Sequence, residues 1–232
     1  MPTPRFDALL FDAGGVVVIP DPHAISDALG VSATFRDGHL AHYRAMRALE
    51  SEALASGGTP SIEHLDWDVY RAAYAASLGV DDADQARNAL ARVWSALLWR
   101  ARIEESVAAL WKLFHRKVPI GIVSNASGQI EGVLRVQGVC QVGAGAGVPV
   151  SVVIDSHVVG VAKPDPRIFD PALEVLGNPE RSRVGYIGDS FINDVAGAAA
   201  AGLVPLHLDP YGLYADFGHE RIESLHDLLG WV

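Results

Sequence analysis

The chain has 232 residues, of which 50% are hydrophobic, so it can bury one large core and carry a smaller second unit. Its 28 acidic residues outnumber its 18 basic ones, and no basic stripe could follow a phosphate backbone, so we expect no nucleic-acid partner. The apolar runs are shorter than the roughly 20 residues that a membrane-spanning helix needs, so we expect no membrane partner either.

The first strand is predicted over residues 7–11, where an apolar run ends at Asp12 and two glycines follow. Residues 21–100 then contain no convincing strand run and are rich in alanine, leucine and arginine. The turn-forming segments SGGTP, at 56–60, and LGVDD, at 78–82, interrupt them. This stretch predicts a helical insert after the first strand.

Helices and strands alternate after the insert. A helix is predicted over residues 103–114 and another over 171–176, with Asp170 as its capping residue. Strands are predicted over 118–123, 150–154, 183–187 and 203–208. This alternation predicts an α/β fold with a parallel sheet. The sheet domain is then discontinuous, with residues 1–18 and 103–232 in the core domain and residues 19–102 in the insert.

The single cysteine, Cys140, cannot form a disulfide within the chain, which favours a buried thiol and a reducing compartment. An acid interrupts the first apolar stretch and no small-residue cleavage site follows, so the N-terminal segment does not resemble a secretion signal. We therefore expect a cytoplasmic protein. Its oligomeric state does not follow from the sequence.

Polar residues stand at or just beyond the ends of the predicted strands, where parallel sheets bind their ligands. They are Asp12, Ser124, Asn125, Lys163, Asp189 and Asp194. Carboxylates can face a divalent cation, and a hydroxyl with a lysine can hold a phosphoryl group. Each residue alone has an ordinary explanation, such as a helix cap, a turn former or a surface lysine. Their joint order along the strand ends favours a functional site.

Four segments resemble, in order, the four motifs of the haloacid dehalogenase superfamily of aspartate-nucleophile hydrolases, which are mostly phosphatases. They are FDAGGVV, IVSNAS, GVAKPDPRIF and YIGDSFINDVAGAAAAG. The resemblance implies a Rossmann-like sheet sandwiched by helices, with the insert as an α-helical cap over the active site. It also implies that Asp12 attacks phosphorus to give an aspartyl phosphate, while Ser124, Asn125 and Lys163 bind the substrate and Ser124 and Lys163 act in catalysis.

The same resemblance implies Mg²⁺ as the cofactor. Its ligands would be Asp12, the backbone carbonyl of Gly14 and Asp189, with Asp194 in or next to the shell of ligands. The expected substrate is a small phosphorylated metabolite, either a phosphate ester or an acyl phosphate.

Gly14 departs from the family pattern, because the phosphatases usually read Asp-x-Asp. The second aspartate protonates the leaving group and later activates water, and its loss costs roughly 10²- to 10⁴-fold in rate. His39 or His42 of the insert could replace it. Other insert residues, Arg44, Arg47 and Arg71, could meet an anionic substrate, although a solvated helix face is their more ordinary role.

Three alternatives to the phosphatase follow from this departure. A metal-independent 2-haloacid dehalogenase also lacks the second acid, but it tends to have serine where this chain keeps Asp189. A phosphonate-cleaving enzyme needs a lysine in the cap, and the three lysines, Lys112, Lys117 and Lys163, all lie outside the insert. A catalytically weak protein that binds phosphate and magnesium would need no general acid.

Overall fold

The chain folds around a parallel sheet in the computed structural model, which describes residues 4–55 and 65–232. The strands are β1 (Ala8–Phe11), β2 (Val18–Pro20), β3 (Trp99–Arg102), β4 (Ile120–Ser124), β5 (Cys140–Val142), β6 (Val148–Val150), β7 (Val152–Asp155), β8 (Val184–Gly188), β9 (Val204–Leu208) and β10 (Arg221–Ile222). The α-helices are α1 (Pro22–Leu29), α2 (Phe35–Ala55), α3 (Trp67–Ser77), α4 (Ala83–Leu90), α5 (Glu104–His115), α6 (Ile130–Val136), α7 (Ser156–Val159), α8 (Asp170–Val175) and α9 (Ala196–Ala200).

The main sheet has six parallel strands within the described residues, in the order β10-β9-β8-β1-β4-β7. Five of them coincide with the five apolar runs, so the predicted α/β fold is confirmed. β1 lies between β8 and β4, so Asp12 stands in the middle of the row formed by the carboxyl ends of the strands. We call this row the sheet edge. The edge strand β10 was not predicted, because its two residues, one of them the exposed Arg221, form no apolar run.

Successive side chains of β1 pack alternately on the two faces of the sheet. Leu9 and Phe11 pack with Leu110 of α5 in one buried cluster. Ala8 and Leu10 belong to a second buried cluster, which contains residues of α8 and α9. Successive side chains of a strand point to opposite faces, so helices cover the sheet on both sides. This sandwich is the Rossmann-like arrangement expected from the sequence.

The insert is helical where the structure describes it, since α1 to α4 all lie between β2 and β3. Helix α3 ends at Ser77 and α4 begins at Ala83, so the LGVDD turn is confirmed. The SGGTP segment lies outside the described residues. The insert has its own apolar core, formed around Ile25, Leu49 and Tyr70. The domain boundaries at 19–102 stay a prediction.

Two local predictions were wrong. Residues 21–100 do contain part of a strand, because β3 begins at Trp99 and pairs antiparallel with β2 where the insert joins the sheet domain. Its residues are half-buried or exposed and include two arginines, so they form no apolar run. Asp170 does not cap α8, because a 3₁₀ turn (Pro166–Phe169) runs straight into that helix. Asp170 is itself helical, with φ −57° and ψ −45°, and pairs with Arg181.

None of the helices in the described parts of the chain combines the length and the apolar character that crossing a bilayer requires.

Candidate active site

Asp12 and Lys163 form a buried ion pair at the edge of the sheet. Asp12 directly follows β1, and its backbone N–H donates to the carbonyl of Ile187 in β8 at 2.8 Å. Its carboxylate Oδ1 accepts the N–H of Ala13 at 2.7 Å and lies 2.9 Å from Lys163 Nζ. The lysine side chain is only 1% exposed, whereas the Asp12 side chain is 13% exposed. The carboxylate is therefore fixed by its neighbours but remains open towards a ligand.

Lys163 is held at both its backbone and its ammonium group. The Asn125 side chain donates to the Lys163 carbonyl at 3.0 Å and accepts the Lys163 N–H at 2.8 Å. The ammonium donates to Asp194 Oδ1 at 2.6 Å and to the Tyr186 hydroxyl at 2.8 Å. Burial acts to lower the pKa of Lys163, but the Asp12 and Asp194 carboxylates outweigh it and raise this pKa above its ordinary value.

Asp194 has both carboxylate oxygens engaged. Oδ1 accepts from Lys163 and also from the Tyr186 hydroxyl at 3.1 Å, while Oδ2 accepts the Ser190 N–H at 2.9 Å. The residue lies in a π-helical turn (Phe191–Val195), a form that recurs at functional sites. These contacts make Asp194 the residue that positions Lys163, and its role as a metal ligand stays a prediction.

Asp189 is held from the insert. His42 of α2 places Nε2 at 2.8 Å from Asp189 Oδ2, and its Nδ1 lies 2.8 Å from the Tyr70 hydroxyl. The backbone carbonyl of Asp189 accepts from His207 Nε2 at 2.9 Å. The carboxylate also lies directly against Gly15, where a Cβ atom would come within 2.2 Å of Oδ2 and where φ is +70°. Only glycine fits at that position.

The three carboxylates at the sheet edge suit a divalent cation. One oxygen from each of Asp12, Asp189 and Asp194 lies within 4.8 Å of the others. Burial raises the pKa of Asp12 to about 7 despite the opposing effect of Lys163, and burial together with Asp194 raises the pKa of Asp189 well above its ordinary value. One buried lysine therefore does not keep all three acids ionised, whereas a bound cation would favour their ionised forms. A cluster of hard carboxylate oxygens matches the preference of Mg²⁺.

A cavity of about 170 Å³ opens onto these groups. The six predicted side chains, Asp12, Ser124, Asn125, Lys163, Asp189 and Asp194, all line it. The structure therefore brings together every strand-end residue that the sequence singled out. Both polar atoms of the Asn125 side chain form hydrogen bonds with the Lys163 backbone. Substrate binding by Asn125 therefore stays a prediction.

Gly14 also lines the cavity, and the indole of Trp99 lies over it. A Cβ atom on Gly14 would lie 3.1 Å from Trp99 Cζ3 and 3.3 Å from Cε3, which is tighter than ordinary van der Waals contact. A side chain at position 14 would therefore crowd this aromatic ring, which would have to shift by a few tenths of an ångström.

Two buried groups of α2 were missed by the sequence analysis. Tyr43 donates from its hydroxyl to the carbonyl of Gly15 at 2.8 Å. Glu50, which is 0% exposed, accepts from Ser190 Oγ at 2.6 Å and from the Ile192 N–H at 2.9 Å. Tyr214 donates to its second oxygen at 2.5 Å.

These contacts join helix α2 to the loop after β1, which carries Asp12, and to the loop after β8, which carries Asp189. Burial raises the pKa of Glu50, which its hydrogen bonds only partly oppose. The one signal in the sequence was helical spacing, because positions 42, 43, 46 and 50 share a face of α2 with buried apolar residues.

The other insert candidates lie elsewhere. His39 bonds Tyr211 at 2.7 Å, and it is not among the described residues that line the cavity. Arg47 stacks over Phe217, Arg71 pairs with Asp68, and Arg44 is exposed. His42 does line the cavity, but burial lowers its pKa to about 3. A neutral imidazole at physiological pH does not favour His42 as the proton donor.

Comparisons with known proteins identify the family of the chain. A family model described as haloacid dehalogenase-like hydrolase matches residues 6–202. The pyrimidine 5'-nucleotidase YjjG of Escherichia coli is 43% identical over 79 residues, which are 32% of this chain and 34% of that protein. The chain thus matches only about a third of the length of this curated relative.

Solved structures of similar fold cover almost the whole chain. A HAD phosphatase from Thermococcus onnurineus aligns with a TM-score of 0.58 and 23% identity, over 97% of this chain and 98% of that one. The L-2-haloacid dehalogenase from Xanthobacter autotrophicus aligns with a TM-score of 0.54 and 19% identity, over 96% of each chain. At these identities the two likenesses show the fold alone. The family match, which covers most of the chain, shows that this protein belongs to the haloacid dehalogenase-like hydrolases.

Proposed function

We propose that the protein is a magnesium-dependent phosphatase that works through an aspartyl-phosphate intermediate. The observation that carries this proposal is the charge of the cavity, where three carboxylates lie together and only two of them, Asp12 and Asp194, pair with the one lysine. An anionic haloacid entering that cavity without a cation would be repelled by whichever of these carboxylates are ionised. A phosphoryl group that arrives with a divalent cation would not. The charge balance therefore favours phosphate chemistry over metal-free dehalogenation.

Bound through Asp12, Asp189 and the predicted carbonyl of Gly14, magnesium would neutralise the phosphoryl oxygens and reduce their repulsion of the nucleophile. A carboxylate oxygen of Asp12 then forms a bond to phosphorus while the bond from phosphorus to the leaving oxygen breaks. Lys163 and Ser124 hold the phosphoryl oxygens during this transfer. Water attacks the phosphorus of the aspartyl phosphate in the second step, which releases phosphate and restores Asp12.

Gly14 sets the limit of this chemistry. With glycine at this position, no acid protonates the leaving oxygen from there, so that oxygen departs largely as an anion. Aryl and acyl phosphates, whose leaving groups are stable as anions, should react far better than alkyl phosphates. General acid catalysis typically contributes roughly 10²- to 10⁴-fold, which sets the size of the expected difference.

The substrate in this proposal is a small phosphorylated metabolite, and residues 19–102 act as the cap that closes over it. A pyrimidine nucleotide belongs to the candidate substrates because one relative is a pyrimidine 5'-nucleotidase. Its 5'-phosphate is an alkyl ester, so the absence of an acid at Gly14 predicts slow turnover. We place the activity in the cytoplasm, where the buried Cys140 stays reduced.

A screen of phosphate esters, acyl phosphates and 2-haloacids, each with magnesium or with a chelator, tests the proposal. Phosphate release that requires magnesium is the expected result. Halide release that resists the chelator would identify a dehalogenase instead. Phosphate and magnesium binding without turnover of any compound would identify a catalytically weak binding protein.

A further inference from the structure

Trp99 occupies the position from which a general acid would reach the leaving group. Its indole lies 3.1 Å from the Cβ position of Gly14, and β3 holds its backbone where the insert rejoins the sheet domain. A substrate bound for attack by Asp12 has its leaving group on this side of the cavity, because the residue two positions after the nucleophile faces it. The described side chain that a Cβ atom at position 14 would meet is an aromatic ring and not an acid.

Neighbouring rings hold this indole in place. Trp99 packs edge-on against His42, with ring centroids 5.6 Å apart and an interplanar angle of 90°. It meets Trp67 at 6.4 Å and 86°, and the buried Tyr70 at 6.2 Å and 36°. Trp67 and Trp99 both line the cavity, whereas Tyr70 lies behind them. The two indoles are therefore a preformed wall and not loose side chains.

Further apolar side chains line the cavity, beside polar ones such as His42, which packs on Trp99. Val18, Met46 and Ala96 join the two tryptophans among the described lining residues. Of the described residues around the cavity, Lys163 is the one permanent cation, and in the proposed mechanism it holds the phosphoryl group beside Asp12. A leaving group with a second phosphate or a carboxylate would find no free cation in this part of the cavity. An uncharged, planar leaving group fits it.

We propose that Trp67 and Trp99 form a subsite for an aromatic leaving group, so that aryl phosphate monoesters are the preferred substrate class. This inference rests on the proposed phosphatase function. The wall and the missing acid favour the same substrates. A phenol has a pKa near 10 and leaves as a phenolate without help, whereas an alkyl alcohol is as weak an acid as water and leaves poorly as an anion. Trp99 is then a specificity-determining residue.

Binding of non-hydrolysable analogues separates the subsite from leaving-group chemistry. Phenylphosphonate and cyclohexylphosphonate carry the same phosphoryl group on rings of similar size, and only the first ring is planar and aromatic. Calorimetry in the presence of magnesium should show tighter binding of phenylphosphonate. Trp99→Leu and Trp67→Leu should reduce that preference by roughly 2- to 10-fold, the scale of an aromatic contact, and Trp99→Phe should retain most of it.

Trp94→Leu is the matched control, because Trp94 packs on Tyr70 in the same cluster but does not line the cavity. Its preference for phenylphosphonate should equal that of the wild type. Equal binding of the two phosphonates, or a preference that survives both Trp99→Leu and Trp67→Leu, would overturn the subsite. That result leaves the proposed phosphatase function intact, which instead fails if magnesium-dependent phosphate release is absent.

A double substitution tests whether the Trp99 ring keeps an acid at position 14 from acting. Gly14→Asp alone should give little, because its side chain meets the Trp99 ring. Gly14→Asp combined with Trp99→Leu should raise turnover of alkyl phosphates relative to aryl phosphates, by up to the roughly 10²- to 10⁴-fold that general acid catalysis supplies. If Gly14→Asp alone gives the full gain, or if wild type cleaves both classes at similar chemical rates, Trp99 does not exclude an acid.

Discussion

The sheet edge and helix α2 both contribute buried ionisable groups to the same cavity, but they pair them differently. At the sheet edge, Asp12 and Asp194 pair with one lysine and Asp189 has no cationic partner, which leaves a place for a metal ion. On α2, Glu50 has three donors for its two oxygens, and His42 has a partner on each ring nitrogen. Carboxylates without a full set of cationic partners can bind a metal ion or attack a substrate. Side chains whose hydrogen bonds are all formed within the protein serve instead to hold neighbouring residues in place.

This difference gives α2 a structural role in the active site. The helix contacts the loop after β1 through Tyr43 and the loop after β8 through His42 and Glu50. Because those two loops carry Asp12 and Asp189, the insert helps to fix the distance between them. Substitutions at the sheet edge should therefore remove activity or metal directly, and substitutions on α2 should act on metal affinity and stability together.

The sharpest test of the sheet edge is Asp12→Asn. The amide cannot form an acyl phosphate, so turnover should fall by more than roughly 10⁴-fold, the scale reported for removal of a nucleophile. Steady-state phosphate release measures it. Asp84→Asn is the control, because the Asp84 side chain is 82% exposed on the insert. Retention of most activity by folded Asp12→Asn protein would rule out this nucleophile.

Asp189→Ala tests the metal site. Its carboxylate has no partner with a permanent positive charge and faces Asp12, so we expect it to bind the cation directly. Magnesium affinity should fall by at least about 100-fold, beyond the loss typical of residues that only support a ligand. Calorimetric titration decides it, with the exposed Asp216→Ala as control. Unchanged affinity would remove Asp189 from the set of ligands.

Glu50→Ala tests positioning by α2. It leaves Ser190 Oγ, the Ile192 N–H and the Tyr214 hydroxyl without their buried partner, so the free energy of unfolding should fall by about 3 kcal/mol. Magnesium affinity should fall by roughly 10-fold or somewhat more, as for other residues that support a ligand. Denaturant unfolding and calorimetry measure the two effects.

Glu50→Gln separates positioning from charge. The glutamine carbonyl can still accept from Ser190 and Ile192, so this variant should keep most of the stability and the magnesium affinity. A loss of stability in Glu50→Ala with fully retained magnesium affinity would show that Glu50 supports the fold alone.

The sheet edge was predictable because its signals are local. Each strand is a short apolar run, and the carboxyl ends of parallel strands necessarily meet, so Asp12, Ser124 and Asp189 could be placed together without knowing any contact. Lys163 lies eight residues beyond β7, after α7, so its place in the site rested on the family resemblance. The sequence could not show that Asn125 holds the Lys163 backbone, because that contact joins residues 38 positions apart.

The contribution of the insert was not predictable in the same way. Whether Glu50, His42 or Trp99 reaches the sheet edge depends on how the insert docks, which is decided by packing between distant segments. Helical spacing predicts which residues of α2 share a face, but not what that face meets. His39 and His42 looked equivalent in the sequence, and the docking of α2 sends only His42 to the cavity.

The smallest expected effect concerns pH and the charge on the sheet edge. Burial raises the pKa of Asp12 from 3.8 to about 7, with Lys163 opposing it. The metal-free folded protein therefore holds this proton below about pH 7, and the raised pKa favours the folded state at low pH and costs stability as the pH rises through that value. Magnesium needs the ionised carboxylate, so below pH 7 it must displace the proton. Affinity measured by calorimetry should be at least about tenfold lower at pH 6 than at pH 8, which is the share of Asp12 alone, and the raised pKa of Asp189 adds to it in the same direction. Asp12→Asn should reduce that dependence, because the amide does not titrate.

Equal wild-type affinities at the two pH values would show that the folded protein keeps Asp12 ionised without the metal. The fold itself would then tolerate the excess negative charge that distinguishes the sheet edge from α2.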